Sequence, residues 1–248
     1  MFRGFGTALN VATVLVGSGV GVLLGHRLTA RTRDVVTDAL GLVTLLVAGL
    51  SALAVTDADL RAAVGSSAPV LIVLGSLLIG GIAGSLLRIE DRLEGFGGWL
   101  QGRLSTRDGS VERQRFIEGF VSASLLFCVG PLTILGSLSD GLGNGADQLI
   151  LKATLDGFAA VAFAASLGWG VAASALAIAV VQGSLTGVGA LLGEVLPAPH
   201  LAALTATGGL LLVGVSLRLL QIKPVPVGDL LPAVIAAPLL TELVVVLR

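Results

Sequence analysis

The sequence predicts an all-α polytopic membrane protein, a transmembrane bundle of about eight spans. Three observations carry this. The 248 residues are 54% hydrophobic and 12% charged, with 35 glycines and no tyrosine, a composition foreign to soluble domains. The apolar runs reach membrane length. The basic residues gather in alternate connections between those runs.

Residues 4–25, 62–87 and 119–139 are free of charge and each long enough to cross, since a span needs about 20 residues. Residues 39–56 are slightly shorter but serve as the second span. The uncharged run 157–193 is too long for one helix, and Gly168-Trp169-Gly170 is its natural break, with Trp169 at the interface. Two more segments, about 201–221 and 228–247, complete the eight; the last is the weakest because Pro232 and Pro238 interrupt it.

With the first span running from outside to inside, eleven basic residues fall on the inner side. The heaviest group is Arg88, Arg92, Arg103, Arg107, Arg113 and Arg115. Arg3, Arg61 and Arg248 fall outside, with Lys152 at the outer end of its helix, so both termini are expected outside. Only Arg3 precedes the first apolar run and no small-residue cleavage site is convincing, so that run reads as a retained helix. The chain reads as one membrane domain, 1–248, containing a cytoplasmic segment, 88–116. That segment mixes Ile89, Leu93, Phe96, Trp99 and Leu100 with charges, the pattern of an amphipathic helix lying on membrane lipid.

GVGVLLGHRL at 19–28 and GVGALLGEVL at 187–196 agree at seven of ten positions, an offset of 168. At the same offset Thr37 meets Thr205 and Gly41 meets Gly209. The copies end the first and sixth spans, so they point opposite ways, the pattern of an inverted repeat relating helices 1–3 to helices 6–8. A Gly/Leu/Val-rich chain makes chance matches cheap. The four-residue spacing of Gly17, Gly21 and Gly25 also serves close helix packing.

The polar residues within the apolar runs supply the candidate site. Lys152 and Asp156 are four apart and share a helix face. A charge in a spanning helix costs about 2.5–3.5 kcal/mol on insertion scales, so it requires a partner or a use. Asp156 reads either as a proton or cation site with Lys152 as its gate, or as half of a structural pair. Gly130-Pro131 interrupts the fourth span, either as a break at which Pro131 opens the first turn of a new half-helix or as a plain proline kink. Ser122, Ser124, Thr133 and Ser137 are positioned to line the same cavity. Asn10 and Gln182 are further buried polar candidates, each read first as an interhelical hydrogen-bonding residue. Glu118, Asp140 and Asp147 lie near span ends and read as solvated.

Other function classes find no support. A net charge of −1 gives no basic footprint for nucleic acid. The one cysteine, Cys128, allows no disulfide framework, and His26 and His200 form no metal motif. No phosphate loop, dinucleotide fingerprint, nucleophile elbow or zinc-protease motif occurs, so no cofactor and no enzymatic activity are expected.

The run LLFCVGPLTILGSLSDGLGNGADQLILKATLDGF, Leu125 to Phe158, resembles the signature of the YqgA/YdfK-like bacterial integral membrane proteins, a domain-of-unknown-function family. The resemblance continues through Ser166 to Thr186, the opening GTALNVATVLVGSGVGVLLG and the closing TATGGLLLVGVSLRLLQIKPVPVGDLLPA; Thr56–Pro69 is the least typical part. It implies a multi-helix protein of the bacterial inner membrane, and brings no substrate, cofactor or active site with it. Its motif positions here include Cys128, Gly130, Pro131, Gly136, Asp140, Gly141, Lys152, Asp156, Gly157 and Gln182.

The expected function is secondary transport or permeation of a small polar solute or ion, by alternating access around the broken helix and Asp156. The alternative is a non-transporting scaffold or sensor that engages a partner or anionic lipid through residues 88–116. Homo-oligomerisation is compatible with either.

Overall fold

The computed structural model describes residues 2–25, 27, 29–104, 110–128, 131–143, 145–192 and 197–248. The order is α1 (Phe5–Gly25), α2 (Ala30–Ala52) with a 3-10 turn (Leu53–Thr56), α3 (Ala58–Val64), α4 (Ala68–Leu87), α5 (Ile89–Leu104) and α6 (Ser110–Cys128). Then come α7 (Pro131–Leu142), α8 (Asp147–Leu167), α9 (Gly170–Leu192), α10 (Ala198–Leu219), α11 (Val227–Leu230) and α12 (Pro232–Leu247). No strand occurs among the described residues.

Seven helical segments among the described residues are long and apolar enough to cross a membrane. An eighth span results if Val111–Cys128 and Leu132–Leu142, which meet at 75°, count as one broken crossing. The break expected at Gly168-Trp169-Gly170 is present, but the expected span 62–87 is divided at residues 65–67, between α3 and α4. α8 stops where Gly168 takes φ 78, a left-handed conformation that only glycine adopts cheaply. Asp57 caps α3 by accepting the Leu60 N–H at 3.0 Å. The segment expected to be weakest runs as Val227–Leu247, and α12 continues through Pro238.

Contacts divide the chain into two compact units, Met1–Leu40 with Glu94–Val195, and Gly41–Leu93 with Leu196–Arg248. In the first unit, α1 and α8 run parallel at close range. Gly17 lies on the Gly157 carbonyl, Gly21 on the Val161 carbonyl and Gly25 on Ala165. The four-residue glycine spacing is therefore a packing stripe, used here to bring backbones together. On α9, Gly170 lies against the Phe116 carbonyl of α6, and Gly189 against Leu138 of α7. Phe127 and Phe163 meet edge-on at 6.4 Å between ring centres.

In the second unit, α4 and α12 are antiparallel, with Gly75 near Leu240, Gly80 near Ala233 and Gly84 near Asp229. α10 opposes the later part of α2: Gly41 faces Leu220, Gly209 faces Ala48 and Ala52, and the Ser216 hydroxyl donates to the Gly41 carbonyl at 2.7 Å. Leu60, Val64, Ile72, Ala202, Ala203 and Ala237 form a buried apolar cluster. The Glu90 carboxylate takes Arg218 and the Gly228 N–H, while Asp229 accepts the Glu90 N–H at 2.9 Å. This network ties the start of α5 to α10 and α11.

Within segment 88–116, α5 leaves Phe96 and Trp99 exposed and stacked at 5.7 Å, with Arg103 set 5.3 Å over the indole. Residues 105–109, including Arg107, lie outside the described residues.

Candidate functional site

Each of four helices in the first unit carries a short polar stripe at helical spacing: Thr7 and Asn10 on α1, Thr133, Ser137 and Asp140 on α7, Lys152 and Asp156 on α8, Gln182 and Thr186 on α9. All nine side chains are buried. In a spanning segment no water replaces a hydrogen bond left unmade, so such stripes must turn toward one another.

The contacts show that they do. The Lys152 ammonium donates to Asp156 Oδ2 at 2.6 Å, and Asn10 Nδ2 donates to the same oxygen at 2.9 Å. A carboxylate only accepts, so this contact fixes which end of the Asn10 amide faces Asp156. The Thr7 and Thr186 hydroxyls meet at 3.2 Å. Asp140 Oδ2 accepts the Gly6 N–H at 3.0 Å, placing its negative charge against the first turn of α1.

Lys152 does not reach outward; it is 6% exposed, its charge held by Asp156 one turn on. Asp140, expected to be solvated, is 3% exposed, because it caps a helix distant in sequence. Asp147 is exposed, as expected. Thr133 serves the helix break: its hydroxyl donates to the Phe127 carbonyl at 3.1 Å, satisfying an acceptor in the last turn of α6. Ser122 is buried on α6, and no bond ties Ser124 to the Asp156 cluster. Gly130 lies outside the described residues; Pro131 opens α7, as a first-turn proline does, and its side chain is not described. Sequence reasoning passed over Thr7 and Thr186. The three- and four-residue spacings to Asn10 and Gln182 were the available signal.

Several buried polar atoms have no partner. Asn10 Oδ1, both ends of the Gln182 amide and the hydroxyls of Ser18, Ser124 and Ser137 are all unpaired. Separately, an open groove of about 410 Å³ runs along the other side of the α1–α8 pair, past Ala12, Val16, Gly17, Ala153, Gly157 and Phe158. Its lining is apolar, as a lipid-facing surface is. No group of three or more His, Cys, Asp or Glu suited to a metal occurs among the described residues.

Helices of spanning length, exposed leucines and valines along them and an enclosed polar layer define a polytopic α-helical membrane protein. The family described as "Protein of unknown function (DUF554)" matches residues 5–242. The chain belongs to that family. It is 32% identical over 232 residues to "Uncharacterized protein YqgA" of Escherichia coli (strain K12), covering 94% of both chains. It is 28% identical over 234 residues to "Uncharacterized membrane protein YdfK" of Bacillus subtilis (strain 168), again covering 94% of both. No solved structure matches.

Proposed function

We propose that the protein is a secondary transporter or permease of the bacterial inner membrane, both termini outside, passing a small polar solute or ion through the polar layer around Asp156. One observation carries the reading: an ion pair and unpaired amides share a buried layer inside spanning helices. Intramembrane ionisable groups of this kind characterise substrate and ion paths.

The helix order supports it. α2, α3 and α4 are followed at an offset near 168 by α10, α11 and α12, and α1 stands in the same relation to α9. α2 with α10 and α4 with α12 run antiparallel, as members of an inverted repeat do. Under this reading the broken α6–α7 segment and the α1–α9 contact alternate between two arrangements, and occupation or protonation of Asp156 biases them.

Proteoliposomes containing wild type and Asp156→Asn, compared for solute uptake under imposed proton and sodium gradients, test the proposal. Uptake above that of empty vesicles, lost or uncoupled in the variant, is expected. Wild-type vesicles that match empty ones overturn it. The alternative reading, a scaffold or sensor held to anionic lipid by α5, draws on the exposed Phe96–Trp99–Arg103 stack.

A further inference from the structure

We infer that the polar layer takes a small uncharged solute carrying both hydrogen-bond donors and acceptors, as amides and polyols do, and that Asn10, Ser137 and Gln182 recognise it. This rests on the transport reading above and narrows its substrate class.

The charges in the layer are already engaged. Lys152 and Asp156 neutralise each other at 2.6 Å, and Asp140 is held by the Gly6 N–H at the positive end of α1. What remains unpaired is neutral. Asn10 presents Oδ1, an acceptor, because its amide nitrogen is committed to Asp156. Gln182, fully buried, presents a donor and an acceptor. Ser137, also fully buried, presents a hydroxyl able to do either.

Asn10 and Gln182 occupy corresponding positions on α1 and α9, and Ser137 lies on α7, which packs against both α8 and α9. Thr7 touches Thr186, and Gly141, beside Asp140, lies on the Thr186 carbonyl. One turn along α1 from Thr7 is Asn10. One turn back along α9 from Thr186 is Gln182. One turn back along α7 from Asp140 is Ser137. α1 and α9 run in opposite directions, so the steps to Asn10 and to Gln182 lead along the bundle in the same sense. The Asn10–Asp156 bond closes the fourth side.

An ion entering here meets no unmatched charge, and its desolvation goes uncompensated. A neutral solute meets donors and acceptors that nothing else in the layer satisfies. A site built to hydrogen-bond its ligand discriminates through those otherwise unpaired groups.

The test is stopped-flow light scattering of proteoliposomes challenged separately with urea, acetamide, glycerol, sodium chloride and potassium chloride. The variants are Gln182→Met, which keeps the side chain's length, and Ser137→Ala, a smaller change that guards against misfolding of the first. Entry of at least one neutral solute above empty vesicles, reduced tenfold or more in Gln182→Met and severalfold in Ser137→Ala, with salts excluded, is the expected result. Passage of salts alone overturns this inference and leaves the transport reading standing. Neutral entry unchanged in both variants also overturns it, since these residues then do not form the site. Absence of any neutral entry overturns this inference, while the transport reading stands or falls on the gradient-driven uptake described above.

Discussion

Replacing Lys152 by Met tests the energetic core of the site. Lys152 and Asp156 are 6% and 7% exposed, so the variant leaves a carboxylate buried in a spanning helix with only the Asn10 amide against it. Removing one partner of a buried pair costs about 3–5 kcal/mol. For a chain of this size 1 kcal/mol moves the melting temperature by about 2–4 °C, so the expected fall is about 6–20 °C. Asp156→Asn in the same background removes the stranded charge and keeps an acceptor for Asn10 Nδ2. The double variant is expected to recover to within about 1 kcal/mol of wild type, giving a coupling energy of about 2 kcal/mol or more. Thermal unfolding of the four purified proteins in one detergent completes the cycle. A Lys152→Met protein melting within about 2 °C of wild type refutes the reasoning, because the pair is then solvated. A recovered double variant that no longer moves solute separates the pair's role in folding from its role in passage.

Four further outcomes are expected in the same unfolding assay. Gln182→Met is expected to stabilise the protein by about 1–3 kcal/mol, the cost of the unpaired buried amide it removes; a loss of stability shows that the amide has a partner. Gly21→Ala is expected to cost about 1–3 kcal/mol, since its methyl meets the Val161 carbonyl and Ala164. Gly19→Ala, with nothing within 4 Å, is expected to be neutral or to gain up to about 1 kcal/mol, and equal effects at the two positions contradict the α1–α8 packing. Asp140→Ala is expected to cost about 1.5–3 kcal/mol by freeing the Gly6 N–H, and hydrogen exchange at the start of α1 is expected to quicken.

The spans were legible because charge is excluded from lipid wherever it lacks a partner. The uncharged runs therefore marked the helices, and Gly168 and Pro131 marked where they stop and start. The Lys152–Asp156 contact was legible because it is local, four residues along one helix. The rest of the site depends on which helices meet, and periodicity is silent on that. The stripe at Gly17, Gly21 and Gly25 announced a close neighbour without naming α8. Asp140 looked solvated because its partner, the Gly6 N–H, lies 134 residues away. Thr133 looked like a cavity residue because the sequence shows a helix break but not which hydroxyl repairs it.

The Asn10–Asp156 bond joins residues 146 positions apart. At about 5–20 residues per second of synthesis, α1 is in place about 7–30 s before the ribosome has made the aspartate that its amide will hold. During that interval Asn10 and the glycine face of α1 have neither Asp156 nor α8 beside them. α1 is thus completed by a helix made after it. A ribosome stalled before α8 emerges leaves a nascent chain that exposes Asn10 in the bilayer, a polar mark by which unfinished copies differ from finished ones.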